Sequence, residues 1–301
     1  MAPAGDSEEE DVECNKRIVQ AFSLLWMLAL GMLLVVNAQQ DLAAALTFHA
    51  SFDKSADADF GLGDKQIYTA PTYKNLDAAQ PGLHNPDVSI VPGKGRHGAA
   101  LEFKAKNTTA IFYQAEKNLD YRQGGWNGTV SFWLNLNPDE DLSGFADPIQ
   151  LTDKDYNDAA LWVDFTGNDK PRHARLGVFG DLKAWNPEGV RGQTNPLFLR
   201  HIVAVTTPPF ARGTWTHVAF TFAGLNGPQP GTARFFLNGK IQGATEPIPE
   251  AFTWEISRAK IRLGVNYAGL FDDLSIFSRA LSEGEVQTLY GLSKGVSELR
   301  R

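Results

Sequence analysis

The chain of 301 residues has a single cysteine, Cys14, which lies close to the N-terminus. The rest of the chain therefore contains no disulfide framework, no thiolate metal site and no cysteine nucleophile. Its stability must come from a large apolar core, which about 250 residues can supply.

Basic residues are also fewer than acidic ones. The chain has 28 Lys and Arg against 35 Asp and Glu, a formal net charge of -7. Residues 1–38 hold two of the bases and six of the acids, which leaves 26 bases against 29 acids in the rest. This near balance lacks the basic surface typical of nucleic-acid-binding proteins, so we expect no nucleic-acid partner.

Long hydrophobic runs are absent except for one, residues 18–36, which is uncharged and mostly apolar and follows Lys16 and Arg17. Small residues before the break at Ala38 are typical of a signal-peptidase site, so residues 1–38 are predicted to be an acidic leader and signal peptide. The run is also long enough to span a bilayer as an uncleaved anchor. Both alternatives place the remainder outside the cytoplasm, secreted, periplasmic or at the cell surface.

The sequence has few patterns typical of long amphipathic helices. Its apolar residues instead alternate with period two. Leu161, Val163 and Phe165 share one face of a predicted strand, and residues 46–52, 130–136 and 218–222 alternate in the same way. Asn238-Gly239 predicts a hairpin with a type I′ turn. We therefore expect an all-β, two-sheet antiparallel sandwich over residues 42–292.

The one convincing helix after the leader lies at the end of this sandwich. Ser282 and Glu285 have the spacing of a capping box, and Gly291 can end the helix. Residues 293–301 then form a C-terminal tail, and we expect the chain after Gly291 to fray. Two segments rich in turn-forming residues, 54–91 and 181–209, are predicted to be long surface loops, where such scaffolds carry function.

Several motifs follow one another in the order of a known family: residues 95–103 (GRHGAALEF), 128–134 (GTVSFWL), 213–219 (GTWTHVA), 235–240 (FFLNGK), 269–277 (GLFDDLSIF) and 279–282 (RALS). In this the chain resembles the laminin-G-like jelly roll of the concanavalin A-like lectin and glucanase superfamily. The predicted export segment ahead of it resembles secreted laminin-G-like proteins of environmental bacteria such as planctomycetes. The resemblance implies the jelly-roll fold, which hosts several unrelated functions.

An enzyme of this superfamily would resemble the family 16 glycoside hydrolases, which carry Glu-x-Asp-x-(x)-Glu on one strand. No predicted strand here has that spacing, and the acidic residues 139–141 lie in a loop. We therefore expect a non-catalytic protein. A glycan-active enzyme stays open only if two carboxylates meet in a cleft.

The resemblance also implies one structural calcium ion, as a cofactor that ties the first loop to the last strand. Asp272 occupies the family position for a ligand, and Asp53 and Asp57 lie in the first loop. The alternative is that Asp272 or Asp273 accepts backbone hydrogen bonds in a turn at the end of the strand. A second acidic segment, residues 153–158 with Asp164, resembles a calcium loop but lacks its glycine, so a solvated hairpin turn is expected.

Aromatic side chains beside polar groups are the residues that recognise sugars. Trp185 and Asn186 lie in the long loop 181–209 and are predicted to be an exposed ligand-binding pair. Trp162 and Asp164 project from the strand face opposite Leu161 and are predicted to join them. These residues favour an exported, non-catalytic domain that binds carbohydrate or another extracellular surface; the alternative is a membrane-anchored structural or protein-adhesion module.

Overall fold

A computed structural model describes residues 39–192 and 194–300. The predicted signal peptide or anchor at residues 1–38 lies outside these residues. Helix α1 is described from residue 39 to residue 45, and a separate compact unit begins at residue 45. Within the described ranges, no helix is both long enough and apolar enough to span a bilayer.

Seventeen strands make up most of the unit that begins at residue 45 in the described part of the chain. They are β1 (Leu46–Ala50), β2 (Phe60–Gly61), β3 (Tyr68–Ala70), β4 (Gln80–Pro81), β5 (Val88–Val91), β6 (Ala100–Phe103), β7 (Ala110–Gln114), β8 (Trp126–Asn135), β9 (Ala146–Thr152), β10 (Ala160–Phe165), β11 (Ala174–Phe179), β12 (Ile202–Val205), β13 (Thr216–Leu225), β14 (Thr232–Leu237), β15 (Lys240–Ala244), β16 (Lys260–Val265) and β17 (Gly269–Phe277).

The strands pair into two antiparallel sheets, which confirms the predicted jelly-roll sandwich. One sheet has the order β15-β14-β13-β8-β17-β1-β2, with β6 paired to β17 and β5 to β6. The other has the order β12-β11-β10-β9-β16-β7-β3-β4. The first strand therefore lies beside the last one, since β1 pairs with β17.

The core lies between the sheets and is built from alternate residues, as the period-two pattern predicts. Leu161, Val163 and Phe165 of β10 share one buried cluster with Val218 and Phe220 of β13. The opposite face of β10 belongs to a different cluster, which contains Trp162, Phe179, Trp185 and Phe198. That second cluster lies outside the sandwich core and forms part of the site described below.

The predicted hairpin and C-terminal helix are present, but the segments predicted to be long loops, 54–91 and 181–209, contain strands β2 to β5 and β12. Asn238 and Gly239 have φ of 50° and 74°, as the predicted type I′ hairpin between β14 and β15 requires. Residues 153–158 link β9 to β10 as a hairpin turn, with Asp155 paired to Asp158, so no helix flanks this acidic segment. The short helices are α2 (Pro138–Asp141), α3 (Leu182–Trp185), α4 (Pro196–Leu199) and α5 (Glu283–Gly291).

The capping box of Ser282 and Glu285 is present at the start of α5. The expectation that the chain frays after Gly291 is wrong, because a 3₁₀ turn follows at Val296–Arg300. Its apolar residues are buried, and the backbone amide of Val296 donates to Asp273 Oδ2 (3.1 Å). The tail therefore folds onto the nine-stranded sheet.

Candidate functional site

A row of cross-strand neighbours crosses the outer face of the eight-stranded sheet. Phe112 on β7 pairs with Arg262 on β16, which pairs with Gln150 on β9. Gln150 pairs with Trp162 on β10, which pairs with Gly177 on β11. Because side chains alternate along each strand, all five positions share the face that points away from the core.

Trp162 forms the floor of this face. A Cβ atom at Gly177 would lie 2.3 Å from the Trp162 ring, so only glycine leaves space for the indole to lie against β11. The indole Nε1 donates to the carbonyl of Tyr156 (2.6 Å), and the ring stacks on Phe179 with centroids 5.8 Å apart. Trp162 is consequently fixed in position and almost fully buried.

Asp164 and Arg175 form a buried ion pair next to Trp162. Arg175 Nε donates to Asp164 Oδ1 (2.8 Å), and its Nη2 donates to Oδ2. The guanidinium lies 5.5 Å from the Trp162 ring centroid and 5.4 Å from that of Phe145. Burial raises the pKa of Asp164, while Arg175 acts in the opposite direction. Both carboxylate oxygens are thus occupied by one planar partner.

A second polar network lies on the other side of Trp162. Arg262 Nη1 donates to Gln150 Oε1 (2.8 Å), and Gln150 Nε2 donates to Asp147 Oδ2 (2.9 Å). Arg262 Nη2 donates to the carbonyl of Lys154 (2.9 Å), and its guanidinium lies 4.8 Å from the Tyr73 ring centroid. Its Nε is buried and has no hydrogen-bond partner among the described residues, so one donor is left for a ligand or water.

Burial, followed by the negative charge of Asp164, raises the pKa of Asp147 well above its usual range. Burial also lowers the pKa of Arg262. Asp147 accepts from Gln150, and Arg262 supplies donors beside it. The site therefore offers donors and acceptors side by side, which suits hydroxyl groups.

These networks surround a cavity of about 440 Å³, the central cavity. Two aromatic rings at its edge are exposed, Phe145 at 41% and Tyr156 at 42%. The residues that line the cavity are Tyr73, Phe145, Asp147, Gln150, Asp155, Tyr156, Trp162, Asp164, Arg175, Phe198, Arg262, Val265 and Asn266. Its size lies within the range of about 300–1,000 Å³ of small-molecule sites.

The structure corrects the prediction that Trp185 and Asn186 form an exposed pair. Trp185 is only 4% exposed, because its Nε1 donates to the carbonyl of Asn157 (2.9 Å) and its ring packs on Phe198. Asn186 is also buried; its side chain accepts from the amide of Val190 and donates to the carbonyl of the same residue (both 3.0 Å). An indole of this size anchors the long loop when the loop folds over it.

Both residues nevertheless line a second cavity of about 620 Å³, the loop cavity. Trp162 and Asp164 project from the predicted face of β10 and line the central cavity, but they too are buried. The structure therefore brings the four predicted residues to two adjacent cavities. Their contact with a ligand stays a prediction.

The predicted calcium residues lie elsewhere, around the turn of residues 95–99. The amide of Ala99 donates to Asp53 Oδ1 (2.9 Å), and the amide of His97 donates to Asp272 Oδ2 (3.1 Å). Asp57 instead accepts from the amide of Ile67 (2.9 Å). Burial, followed by the charge of its neighbour Asp273, raises the pKa of Asp272 to about 8.

This arrangement has few of the oxygens that Ca²⁺ requires, six to eight at 2.3–2.6 Å. In the described part of the chain, no group of three or more His, Cys, Asp or Glu side chains could hold a metal ion. Asp272 accepts from a backbone amide, as the alternative expectation states, and Asp53 and Asp57 also accept from backbone amides. A calcium ion at Asp272 stays a prediction.

Sequence reasoning missed the exposed rings and the central polar network. Tyr156 is the one aromatic residue in the acidic hairpin turn 153–158, and an aromatic side chain in so solvated a turn is a signal that points to a binding role. Gln150 and Arg262 each lie between two apolar residues of their strands. Polar residues at these positions indicate an outer face, but only the strand order shows that they meet.

A family model described as the concanavalin A-like lectin/glucanases superfamily, with a laminin G domain as its type, matches residues 124–287. A search of curated proteins gave no match. Among solved structures, the chain is similar to domain 4 of AbnA, an extracellular arabinanase of glycoside hydrolase family 43 from Geobacillus stearothermophilus, in complex with arabinotriose. That similarity has 20% identity and a TM-score of 0.51, and it covers 81% of this chain and 97% of that one.

It is also similar to the binding domain of botulinum neurotoxin DC in complex with rat synaptotagmin II, at 11% identity and a TM-score of 0.54. The same binding domain in complex with SialylT aligns at 11% identity and a TM-score of 0.50. These two similarities cover 83% and 82% of this chain, but only 52% and 50% of those chains. At such identities the solved structures show the fold alone. The family match, which covers more than half of the sequence, establishes that the chain belongs to the concanavalin A-like lectin/glucanase superfamily, as a laminin-G-like member.

Proposed function

We propose that this protein is a non-catalytic carbohydrate-binding domain whose central cavity holds a sugar residue. The observation that carries the proposal is the pairing of two exposed rings, Phe145 and Tyr156, with a polar floor that keeps a free donor on Arg262. Few features of a folded surface combine exposed aromatic rings with buried polar groups unless a ligand uses both.

The chemistry of the cavity suits a sugar. The apolar C–H face of a sugar ring can stack on Tyr156 or Phe145, and its hydroxyl groups both donate and accept. Arg262 Nε would donate to one hydroxyl, and Asp147 would accept from another. Since Asp164 is neutralised by Arg175, these two groups and Asp155 remain to orient the ligand.

The comparisons support a glycan as the partner in general. The arabinanase domain is described with arabinotriose, and one neurotoxin binding domain with SialylT. The same neurotoxin binding domain is also described with synaptotagmin II, which keeps protein adhesion as the alternative. The central cavity favours the glycan, because its polar groups lie in a recess rather than on a broad flat surface.

The test is calorimetric binding of the purified protein to a panel of plant and bacterial polysaccharides, which includes arabinan. We expect selective, saturable binding that Tyr156→Ala weakens at least tenfold, since an exposed ring supplies stacking without supporting the core. Leu62→Ala is the matched control, because Leu62 is also exposed but lies outside every cavity described here. No binding to any glycan, or equal binding by both variants, would contradict the proposal.

A second candidate, glycan hydrolysis, is favoured by one observation: Asp147 and Asp164 line the same cavity. Burial raises the pKa of Asp147, and glycosidases use two carboxyl groups of which one has a raised pKa. Binding is preferred because both oxygens of Asp164 are held by Arg175. Chromatography after incubation of the protein with the polysaccharide that it binds distinguishes binding from hydrolysis. Shorter products that are absent with Asp147→Asn would establish hydrolysis.

Export of the domain is part of the proposal and rests on residues 1–38. N-terminal sequencing of exported protein tests it. A start at Gln39 would support the signal peptide and exclude the anchor, whereas an intact N-terminus in the membrane fraction would support the anchor. Exclusive recovery in the cytoplasm would contradict both.

The calcium prediction is tested separately by thermal unfolding in calcium and in EDTA. A rise in Tm with calcium that Asp272→Asn abolishes would support a structural ion. An unchanged Tm would leave the backbone hydrogen bonds of Asp53 and Asp272 as the sole role of these carboxylates.

A further inference from the structure

Three cavities lie next to one another on the outer face of the eight-stranded sheet. The central cavity and the loop cavity share Tyr156 and Phe198 in their walls. A third cavity of about 930 Å³, the edge cavity, shares Tyr73 and Arg262 with the central one. The three cavities therefore adjoin one another, with the central cavity in the middle, and together they are called the groove.

The edge and central cavities follow one another across the strands rather than along them. Tyr68 and Phe112 lie in the edge cavity, Gln150 and Trp162 in the central one, and these residues are successive members of the cross-strand row. From Tyr68 on β3 to Trp162 on β10 the row crosses five neighbouring strands. At about 4.8 Å between strands, it is about 19 Å long, which is far more than one sugar ring needs.

The edge cavity also contains an unused polar atom. Asp153 Oδ1 is buried without a hydrogen-bond partner among the described residues, while its Oδ2 accepts from the amide of Glu255 (2.9 Å). Arg262 Nε is the corresponding unused donor at the boundary of the central cavity. An acceptor and a donor left over in adjacent cavities are both satisfied by a ligand that carries hydroxyl groups along its length.

We propose that the groove binds an internal stretch of a linear polysaccharide, which lies across the strands and occupies the edge, central and loop cavities. This inference rests on the proposed function and adds the architecture of its ligand. A terminal sugar or a short branch would fill the central cavity alone. An extended chain reaches all three and gains contacts with each added unit.

The experiment compares oligosaccharides of one to six units from linear arabinan, xylan, mannan and β-glucan by calorimetry. We expect affinity for the matching series to rise at least a hundredfold between two and six units. Val190→Trp fills the loop cavity, and Ser257→Trp fills the edge cavity, from exposed positions in their walls. Each should weaken binding of the hexamer about tenfold and leave the disaccharide unchanged.

Leu199→Trp is the matched control for Val190→Trp, because both side chains are 50% exposed and Leu199 lines none of the three cavities. Equal thermal stability of the three variants shows that each is folded. Affinity that stays constant from two to six units, or a hexamer unaffected by both blocking variants, overturns the extended groove but leaves the proposed function intact. Absence of binding at every length overturns both.

Discussion

On the outer face of the nine-stranded sheet, Ser131, Trp133 and His217 lie beneath helix α5. Trp133 stacks on Tyr290 of that helix (centroids 5.6 Å apart), and Ser131 Oγ lies 2.8 Å from His217 Nε2. On the outer face of the eight-stranded sheet, Gln150, Trp162 and Arg262 are equally polar or aromatic, yet they line open cavities. Both faces use the same residue types, but the chain covers only the first with its own C-terminal segment.

This difference teaches that an aromatic or ionisable residue on an outward strand face does not by itself mark a binding site. The two faces differ in whether a segment of the chain packs over them. The tail after α5 donates a backbone hydrogen bond to Asp273, whereas the loops around the central cavity leave Phe145 and Tyr156 exposed. The predictions below separate a face that stabilises the fold from one that binds.

The largest loss of stability is expected on the covered face, the outer face of the nine-stranded sheet beneath α5. Trp133→Ala removes a buried indole that contacts His217 and Tyr290, so we expect a loss of about 3–5 kcal/mol in the free energy of unfolding. Glycan affinity of the folded protein should not change. Urea unfolding and calorimetry measure the two quantities, and a variant that binds weakly despite being folded would mean that the covered face also contributes to the site.

On the open face, the outer face of the eight-stranded sheet, Gly177→Ala should lower the free energy of unfolding by up to about 3 kcal/mol. The reason is that the added Cβ would overlap the Trp162 ring. Here glycan affinity should fall as well, since Trp162 forms the floor of the central cavity. Gly124→Ala is the control, as a Cβ at Gly124 meets no atom within 4 Å. Equal affinity for both variants would show that the floor does not position the ligand.

The covered face should also make stability depend on pH. Burial lowers the pKa of His217 to about 3, while the charge of Asp273 opposes this and that of His97 reinforces it. The unfolded chain takes up a proton near pH 6.5 and the folded protein only near pH 3, so stability is lost as the pH falls through this window.

Between pH 7 and pH 5, the contribution of His217 amounts to about 2 kcal/mol of unfolding free energy. Urea unfolding of the natural protein and of His217→Phe at pH 7 and pH 5 measures this contribution. The natural protein should lose about 2 kcal/mol more than the variant between the two pH values. A variant with the same pH dependence as the natural protein would show that His217 is not held neutral.

The smallest effect concerns the anchor of the long loop. Trp185→Phe keeps a ring against Phe198 but removes the hydrogen bond to Asn157, so we expect a loss of about 1 kcal/mol in stability. Disaccharide binding should stay unchanged. If disaccharide affinity instead falls tenfold, Trp185 contacts the ligand directly, as the sequence alone predicts.

Much of the fold could be predicted from local signals. Asn238-Gly239 and the Ser282 capping box depend on the conformations of a few neighbouring residues, so their motifs were reliable. The alternation in β10 also placed Trp162 and Asp164 on the correct face. The tail was the exception, because its order comes from Asp273 and from burial of Val296, contacts between distant parts of the chain.

The site could be predicted only in part. Trp162 and Asp164 lie at the central cavity, but their burial depends on Gly177 and Arg175, which reach them through strand pairing. The exposure of Trp185 was misjudged because a loop sequence does not show which of its aromatic residues packs inward. Arg262 and Gln150 are 112 residues apart, so their hydrogen bond requires the strand order β9-β16.

The pairing of β1 with β17 has a consequence for how the chain is made. During synthesis, β1 leaves the ribosome more than two hundred residues before its main partner. At about 5–20 residues per second, this is a delay of roughly 10–45 s. Until β17 arrives, nothing joins β1 to β8, and the nine-stranded sheet cannot close. Closure of this sheet therefore follows the synthesis of β17, although β8, β13, β14 and β15 can pair before it.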